Sequence, residues 1–509
     1  MAPRRLPPFL LALDQGTTSS RAIVFDAAGR VLGTGQYALP ALYPRPGWVE
    51  QDPEVIWDTQ RRAWESALVT AGLRPADVAA VGIANQRETT VVWERETGRP
   101  VHNAIVWQDR RTAAACAALE AEGWGTLIAG RTGLRLDPYF SATKLAWILD
   151  QVPRAREAAG NGRLLFGTID SWLLWRLTGG RLHATDATNA SRTLLYDIDR
   201  LAWDRDILER LRIPAGMLPE VRPSCGDFGH TDGGVFGAEA PIAAAAGDQQ
   251  AALFGQGCWA AGGVKNTYGT GCFLLLHAGR ERPAAGGGLL QTLALWDGAA
   301  AEYAVEGSVF SAGAAVEWLR DVGIVRKAAE CGRLAASVPD TGGVYFVPAF
   351  TGLGGPDWDP AARGTVLGLT RGTGRAHLCR AVLEAIAHQS RDLFALMCRE
   401  TGIQPSELRV DGGVARSDLL LQIQADLLGV PVVRSRQPES TALGAALLAG
   451  AGIGLWRNRA EIRRRIRDGR RFLPEIGASE RTLRARRWRR AVERALRWEL
   501  GEPVPDGDE

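Results

Sequence analysis

The sequence predicts an α/β protein built from two similar halves. Short apolar runs ending in Gly, Asp or Thr alternate with longer amphipathic stretches, as strands and helices do in such folds. The 509 residues, 46% hydrophobic and 23% charged, are enough for two or three cores. Two turns rich in glycine and threonine, within residues 14–21 and 264–273, lie about half a chain apart. We therefore predict two domains, at residues 1–253 and 254–509.

The first half begins with two predicted strands joined by a tight polar turn. Residues 9–13 and 22–25 are apolar, and residues 14–21 between them read DQGTTSSR. Two more strands are predicted at residues 78–83 and 89–93, because short apolar runs recur there.

A helix is predicted over residues 53–69. Asp52 is a typical N-cap, Pro53 suits the first turn, and Gly72 follows the last amphipathic residue.

Charge and cysteine content exclude several classes of protein. Sixty Lys and Arg oppose 57 Asp and Glu, so the formal charge is only +3. The arginine-dense residues 457–500 are interrupted by acids, and we expect no nucleic-acid binding there. Seven cysteines without a CxxC pair argue against disulfides and zinc and favour a reducing compartment. The apolar run 9–13 is too short for a signal peptide, so a cytoplasmic protein without membrane insertion is expected.

The two glycine-threonine turns are suited to phosphate. Their backbone N–H groups and hydroxyls form a concave set of donors, although any tight hairpin uses similar residues. A Walker A loop is excluded because the three lysines follow Thr143, Val264 and Arg326 rather than glycine. The Rossmann pattern also fails, since Leu274 stands at its third glycine position.

Phosphoryl transfer also needs a base and a metal site, and carboxylates near the turns are candidates. Asp14 closes a strand beside the first turn, and Arg21 would neutralise phosphate charge. Asp248 lies at the predicted domain junction, where it would accept a hydroxyl proton. The alternative for each carboxylate is a helix cap or an ion pair.

Seven motifs in sequence order resemble the FGGY carbohydrate kinases, in particular the members that phosphorylate glycerol. They lie at residues 13–21, 85–90, 105–111, 137–141, 247–255, 266–271 and 348–353. The resemblance implies the two-domain ATPase fold of actin, Hsp70 and hexokinase, with ribonuclease H-like domains around a cleft. It further implies Mg²⁺-dependent transfer from ATP to glycerol, giving sn-glycerol 3-phosphate.

The same resemblance implies the site residues. The glycerol hydroxyls would bond Arg87, Glu88, Tyr139 and Asp248, assisted by Gln249, and Trp107 and Phe273 would wall the carbon chain. Asp248 would be the general base, and Asp14 would hold Mg²⁺ through water. The nucleotide would contact Thr17, Thr18, Ser19, Arg21, Thr270, Gly271, Gly313, Glu317, Gly413 and Ser417. The alternatives are a core tryptophan at 107 and a structural ion pair at 87–88.

Some positions depart from the family pattern. Glu317 replaces a common Gln and Ser417 a common Asn, which puts adenine selectivity in question. Residues 229–241 lack the loop that binds fructose bisphosphate in some relatives and the phosphorylatable histidine of others. Relatives form dimers and tetramers, so a homodimer or homotetramer is expected. The alternatives are a kinase for another polyol or sugar, and an ATPase of the same fold that transfers phosphate only to water.

Overall fold

The computed structural model describes residues 8–284 and 288–499. Thirteen strands and ten helices lie before residue 256. The strands are β1 Phe9–Gln15, β2 Ser19–Phe25, β3 Val31–Ala38, β4 Glu50–Gln51, β5 Val78–Asn85, β6 Val91–Glu94, β7 Ala104–Ile105, β8 Leu164–Gly167, β9 Ala184–Asp186, β10 Tyr196–Asp197, β11 Ala202–Trp203, β12 Glu220–Arg222 and β13 Ile242–Gly247. The helices are α1 Pro53–Ala71, α2 Ala113–Ala121, α3 Trp124–Thr132, α4 Ser141–Gln151, α5 Ala155–Gly160, α6 Ile169–Leu177, α7 Ala187–Ala190, α8 Arg205–Arg210, α9 Gly233–Phe236 and α10 Asp248–Gly255.

The second half contains nine strands and seven helices among its described residues. The strands are β14 Val264–Tyr268, β15 Cys272–Gly279, β16 Leu290–Trp296, β17 Ala301–Val309, β18 Tyr345–Val347, β19 Thr365–Leu367, β20 Leu408–Asp411, β21 Val432–Ser435 and β22 Asp468–Phe472. The helices are α11 Gly313–Asp321, α12 Ala328–Ala335, α13 Arg375–Thr401, α14 Asp418–Leu428, α15 Ser440–Gly452, α16 Arg459–Arg463 and α17 Ala478–Ala495. In residues 8–284 and 288–499, none of the helices combines the length and apolarity needed to span a bilayer.

The two main sheets share one topology, which confirms the prediction of two similar halves. The first runs β13-β5-β1-β2-β3, with β13, β5 and β1 parallel and β1, β2 and β3 antiparallel. The second contains β21-β20-β14-β15-β17 in the matching order and directions, flanked by β22 and β16. Because the same connectivity recurs, the two glycine-threonine turns occupy equivalent β1–β2 and β14–β15 positions.

The helix predicted at residues 53–69 is confirmed as α1. The Asp52 carboxylate accepts the Glu54 N–H at 2.8 Å, and Gly72 ends the helix at φ +68°. Its buried face includes Ile56 and Trp64, which pack into the core of the first half.

One helix from the second half packs on the first sheet. Buried residues of α15, among them Leu447, share a core with Leu10 of β1 and Ala244 of β13. Residue 253 lies inside α10, and α10 packs on α15. The contacts between the two halves therefore involve α10 and α15. These helices lie on the face of the first sheet opposite α1.

The arginine-dense C-terminal segment contributes to the core of the second half. It contains α16, strand β22, which pairs with β21, and helix α17. Trp488 of α17 is buried and stacks on His388 of α13, with ring centroids 5.1 Å apart. The segment is thus part of the second core.

Candidate active site

The parallel strands of the first sheet bring three polar segments to one edge. Asp14 of β1 pairs in register with Ala84 of β5, and Gly247 of β13 pairs with Asn85. Because parallel strands end at the same edge, Asp14, the segment after Asn85 and Asp248 lie together. The sequence-predicted metal residue, substrate pair and base are therefore neighbours.

The Arg87–Glu88 segment is a tight turn with an unusual backbone. Glu88 has φ +63°, and the Thr89 N–H bonds the Arg87 carbonyl at 2.7 Å. Ser141 Oγ donates to the Glu88 carbonyl at 2.9 Å. A left-handed glutamate persists only where its surroundings hold it, and such residues cluster at functional sites.

Asp248 is the first residue of α10, and its carboxylate faces Arg87. Arg87 Nε lies 3.3 Å from Asp248 Oδ1, which also accepts the Gln249 N–H at 2.7 Å. The Thr188 hydroxyl holds the preceding Gly247 N–H at 2.9 Å. Burial raises the pKa of Asp248, while the charges of Arg87 and Lys265 oppose the rise.

Three aromatic side chains form a wall beside these charges. The ring of Trp107 meets Tyr139 at 5.5 Å and Phe273 at 6.3 Å between centroids, both edge to face. Trp107 Nε1 donates to Thr17 Oγ1 at 2.9 Å, which fixes the indole. Phe273 comes from the second half, so both halves contribute to the wall.

Sequence reasoning missed three charged residues that lie against the predicted site. Arg192 follows α7 and donates to Glu88, whereas Glu306 of β17 accepts from Arg87. Lys265 of β14 donates to Gln249 Oε1 and to Thr267 Oγ1. Burial lowers the pKa of Lys265 to about 8, although the charges of Asp411 and Asp248 raise it. No local pattern marks Arg192 and Glu306, since their partners Glu88 and Arg87 lie more than 100 residues away in the sequence.

A third carboxylate, also missed, comes from the end of β20. Asp411 pairs in register with Thr267 of β14, and its Oδ1 is buried without a hydrogen-bond partner in the described part of the chain. Burial raises the pKa of Asp14 to about 6, opposed by Arg21 and reinforced by Asp248 and Asp411. The three carboxylates are therefore close enough to interact electrostatically.

The first glycine-threonine turn is open at its tip. Gly16 N–H bonds the Ser19 carbonyl at 3.0 Å, and Thr18 is exposed. The hydroxyl of Thr17 already accepts from Trp107, and Ser19 Oγ accepts from Gln36 at 3.0 Å. Arg21, from the following strand, forms an ion pair with Glu439 of the second half.

The second turn packs against the start of α11. Thr270 is exposed, and its carbonyl accepts the Ala312 N–H at 2.8 Å. A Cβ on Gly313 would lie 2.6 Å from the Gly269 carbonyl, and one on Gly271 would lie 2.3 Å from the Val309 carbonyl. Both glycines are thus needed for this close packing.

The remaining predicted nucleotide residues lie on neighbouring elements. Glu317 is exposed on α11, and Gly413 begins the 3₁₀ turn Val414–Arg416. The Ser417 hydroxyl caps α14 by accepting the Leu420 N–H at 3.3 Å. Ser417 therefore has a structural partner in addition to its predicted role.

Comparison with known proteins identifies the family. A model described as the N-terminal domain of the FGGY family of carbohydrate kinases matches residues 9–255, and the corresponding C-terminal domain model matches residues 264–453. The chain belongs to the FGGY family of carbohydrate kinases.

Several FGGY relatives match over nearly their whole length. A glycerol kinase of Symbiobacterium thermophilum is 56% identical, and glycerol kinase 2 of Thermotoga maritima is 53% identical; each match covers 96% of this chain and 99% of the relative. The crystal structure of Plasmodium falciparum glycerol kinase with ADP superimposes with a TM-score of 0.90 at 33% identity, covering 96% of this chain and 98% of that one. The two-domain kinase fold predicted from the sequence is thereby confirmed.

Proposed function

We propose that this FGGY kinase transfers the γ-phosphoryl group of ATP to glycerol, giving sn-glycerol 3-phosphate and ADP. The observation that carries the proposal is the Arg87–Glu88 pair, with the aromatic wall beside it and the Asp248 carboxylate 3.3 Å from Arg87 Nε. Relatives 53–56% identical over 96% of the chain bear the name glycerol kinase, which supports the choice of substrate.

The pocket chemistry suits a small triol. Trp107 and Phe273 offer apolar faces to the C–H edge of the carbon chain. Arg87 offers donors, and Glu88 and Asp248 offer acceptors, so each hydroxyl finds a partner. A buried polar group left unpaired costs about 1–3 kcal/mol, which disfavours alcohols that lack a hydroxyl.

The transfer step needs one base and a well-placed phosphate. Asp248 takes the proton of the terminal hydroxyl while that oxygen attacks the γ-phosphorus in line. The new P–O bond forms as the bond to the ADP oxygen breaks, so ADP leaves. The open turns around Thr18 and Thr270 offer donors to the phosphate oxygens, and Arg21 exchanges Glu439 for phosphate.

The carboxylates fit Mg²⁺ held through water. Asp14 is partly exposed in the cleft, and Asp411 Oδ1 is buried with no partner in residues 8–284 and 288–499. Oxygen donors of this kind are the ligands Mg²⁺ takes together with waters and phosphates. When bound there, Mg²⁺ neutralises charge on the phosphates.

The departures at Glu317 and Ser417 bear on adenine selectivity, which nucleotide competition would measure.

A coupled assay of ADP formation tests the proposal. With Mg-ATP, we expect glycerol to stimulate turnover by at least about 100-fold over the rate without acceptor. Xylulose, ribulose and gluconate at equal concentration serve as competing acceptors. Preference for one of these would favour the sugar-kinase alternative, and an ADP rate independent of any acceptor would favour the ATPase alternative.

We expect a homodimer or homotetramer, which light scattering would detect as twice or four times the chain mass. All seven cysteines are unpaired thiols, which supports a reducing compartment such as the cytoplasm.

A further inference from the structure

Four buried side chains of alternating charge form a closed ring at the base of the polyol pocket. Arg87 Nη1 donates to Glu306 Oε2 at 2.5 Å, and Arg87 Nη2 donates to Glu306 Oε1 at 3.1 Å. Arg192 Nη2 donates to Glu306 Oε1 at 2.9 Å, and Arg192 Nε donates to Glu88 Oε1 at 2.6 Å. Arg87 Nε lies 3.9 Å from Glu88 Oε1 and completes the ring.

The ring joins the two halves of the molecule and is shielded from water. Glu306 belongs to β17 of the second sheet, whereas Arg87, Glu88 and Arg192 belong to the first half. All four side chains are at most 2% exposed. The two positive and two negative charges cancel. Removing any one of the four side chains would leave an uncompensated charge buried in the protein, which is strongly destabilising.

Glu306 is the member that lets two arginines lie side by side. Burial alone would raise the pKa of Glu306, but the charges of Arg192 and Arg87 outweigh burial and lower this pKa to about 2. The carboxylate is therefore ionised at neutral pH, and it screens one guanidinium from the other.

The ring also determines which polar atoms remain for a ligand. Both terminal nitrogens of Arg87 are engaged by Glu306, and Nη1 also lies 3.3 Å from Gln250 Oε1. One Nη2 hydrogen is left over, and Nε faces the Asp248 carboxylate, with Oδ1 at 3.3 Å. On Glu88, Oε1 is held by Arg192, whereas Oε2 accepts no hydrogen bond from the described residues.

Arg192 supports the aromatic side of the pocket as well. Its guanidinium carbon lies 5.7 Å from the ring centroid of Tyr139 and 5.3 Å from that of Phe140. One side chain thus contacts both Glu88 and Tyr139, which the proposed function places on the substrate.

We propose that Arg192 and Glu306 are positioning residues that set the selectivity of the pocket for a triol. By occupying the rear atoms of Arg87 and Glu88, they leave one defined donor edge and one carboxylate oxygen directed at the substrate. A rotated Arg87 or Glu88 would still bind a diol but would lose the match to the third hydroxyl. This inference rests on glycerol as the substrate of the proposed function.

The test compares Glu306→Gln and Arg192→Lys with the wild-type enzyme. In Glu306→Gln, an amide NH₂ faces arginine donors, and in Arg192→Lys a single ammonium cannot bridge Glu88 and Glu306. We expect the KM for glycerol to rise at least about tenfold, the size of one lost charged hydrogen bond, while the KM for ATP stays within about twofold. The preference for glycerol over propane-1,2-diol and propane-1,3-diol should fall in the same variants.

Glu302→Gln is the matched control. Glu302 is a buried glutamate on the same strand, and it accepts from Arg459 Nη2 at 2.8 Å and lies 3.0 Å from His277 Nε2. Its loss should destabilise the fold comparably but leave the KM for glycerol and the diol preference unchanged, because no member of the ring contacts it.

Wild-type turnover of glycerol is measured first in the same assay, so its absence contradicts the proposed function alone. If the wild type turns over glycerol, folded variants with unchanged glycerol KM and unchanged diol preference overturn the positioning role. Folding is checked by circular dichroism, and if Glu306→Gln does not fold, Arg192→Lys, which keeps the positive charge, decides. Equal KM changes in Glu302→Gln would also overturn the proposal, since the effect would then be structural.

Discussion

Asp248 is the residue whose position and pKa both suit it to accept a proton. Its carboxylate is held at the start of α10 by the Gln249 N–H at 2.7 Å, and it lies 3.3 Å from Arg87 Nε. Burial raises its pKa, which strengthens it as a base, and the neighbouring cations keep it able to ionise.

Asp248→Asn should therefore abolish most turnover without unfolding the protein. The amide keeps the size of the side chain, and its oxygen can still accept the Gln249 N–H, but it cannot take a proton. We expect kcat to fall by at least about 100-fold, with the melting temperature within a few degrees of wild type. Steady-state kinetics and thermal unfolding measure the two effects, and near-normal kcat would show that another group is the base.

A second single-residue prediction concerns stability and pH. Asp170 of α6 is buried and accepts from Thr168 Oγ1 at 2.5 Å and from Thr185 Oγ1 at 2.6 Å. Burial, with the nearby charge of Asp186, raises its pKa from 3.8 to about 7. Because the folded state holds this proton more tightly than the unfolded state does, the contribution of Asp170 to stability falls as pH rises from about 4 to about 7.

Asp170→Asn should thus gain stability relative to wild type across that range. The neutral amide does not titrate, so the difference in melting temperature should grow from pH 4 to 7 and level off above pH 7. Thermal unfolding at several pH values measures it. The exposed Asp321→Asn serves as control and should show no such trend; a flat difference for Asp170→Asn would contradict the expected titration.

Residues differ in how readily the sequence reveals them. Arg87, Glu88 and Asp248 lie in recognisable motifs, and the structure brings them together. Arg192 and Glu306 are separated from Arg87 by more than 100 residues, as their hydrogen bonds show. A charged residue buried by distant partners resembles a surface residue in the sequence, because burial depends on the packing of both halves.

At the scale of elements, turns and helix ends were predictable from local chemistry. Asp52 caps the start of α1 through its side chain, and Gly72 ends the helix in the left-handed conformation that glycine favours. Both glycine-threonine turns connect antiparallel strands. The C-terminal segment was harder to predict from the sequence. Its strand β22 is short and largely exposed, and it is a strand only because it pairs with β21.

Gly313→Ala tests the contact between the second turn and α11. The added Cβ would lie 2.6 Å from the Gly269 carbonyl, so the turn must move away from the helix. We expect the KM for ATP to rise by about tenfold while the KM for glycerol changes little, because the proposed function assigns phosphate contacts rather than polyol contacts to this turn.

Gly130→Ala in α3 is the control for this substitution. A Cβ at Gly130 meets nothing within 4 Å, so the change should leave both KM values unaltered. An unchanged KM for ATP in Gly313→Ala would show that the turn does not hold the phosphates.

At the scale of the whole molecule, the two halves meet through a few specific elements. Helix α15 of the second half is buried on the first sheet, and Glu306 of β17 reaches Arg87. Arg21 of the first half and Glu439 of the second half form an ion pair, which the proposed function expects phosphate to replace. Under the proposed function, a relative movement of the two halves would therefore reach the polyol pocket and the phosphate-binding turns together.

The sequence by itself determined the fold class, the duplicated halves and the motif residues, because periodicity, turn chemistry and motif order are local properties. Tertiary structure alone decided which charges became neighbours: the ring of Arg87, Glu306, Arg192 and Glu88, the contact of Lys265 with Gln249, and the burial of α15. The reason is physical. Desolvation and Coulomb interactions depend on distances through space, which are fixed only when the two sheets and their helices have packed.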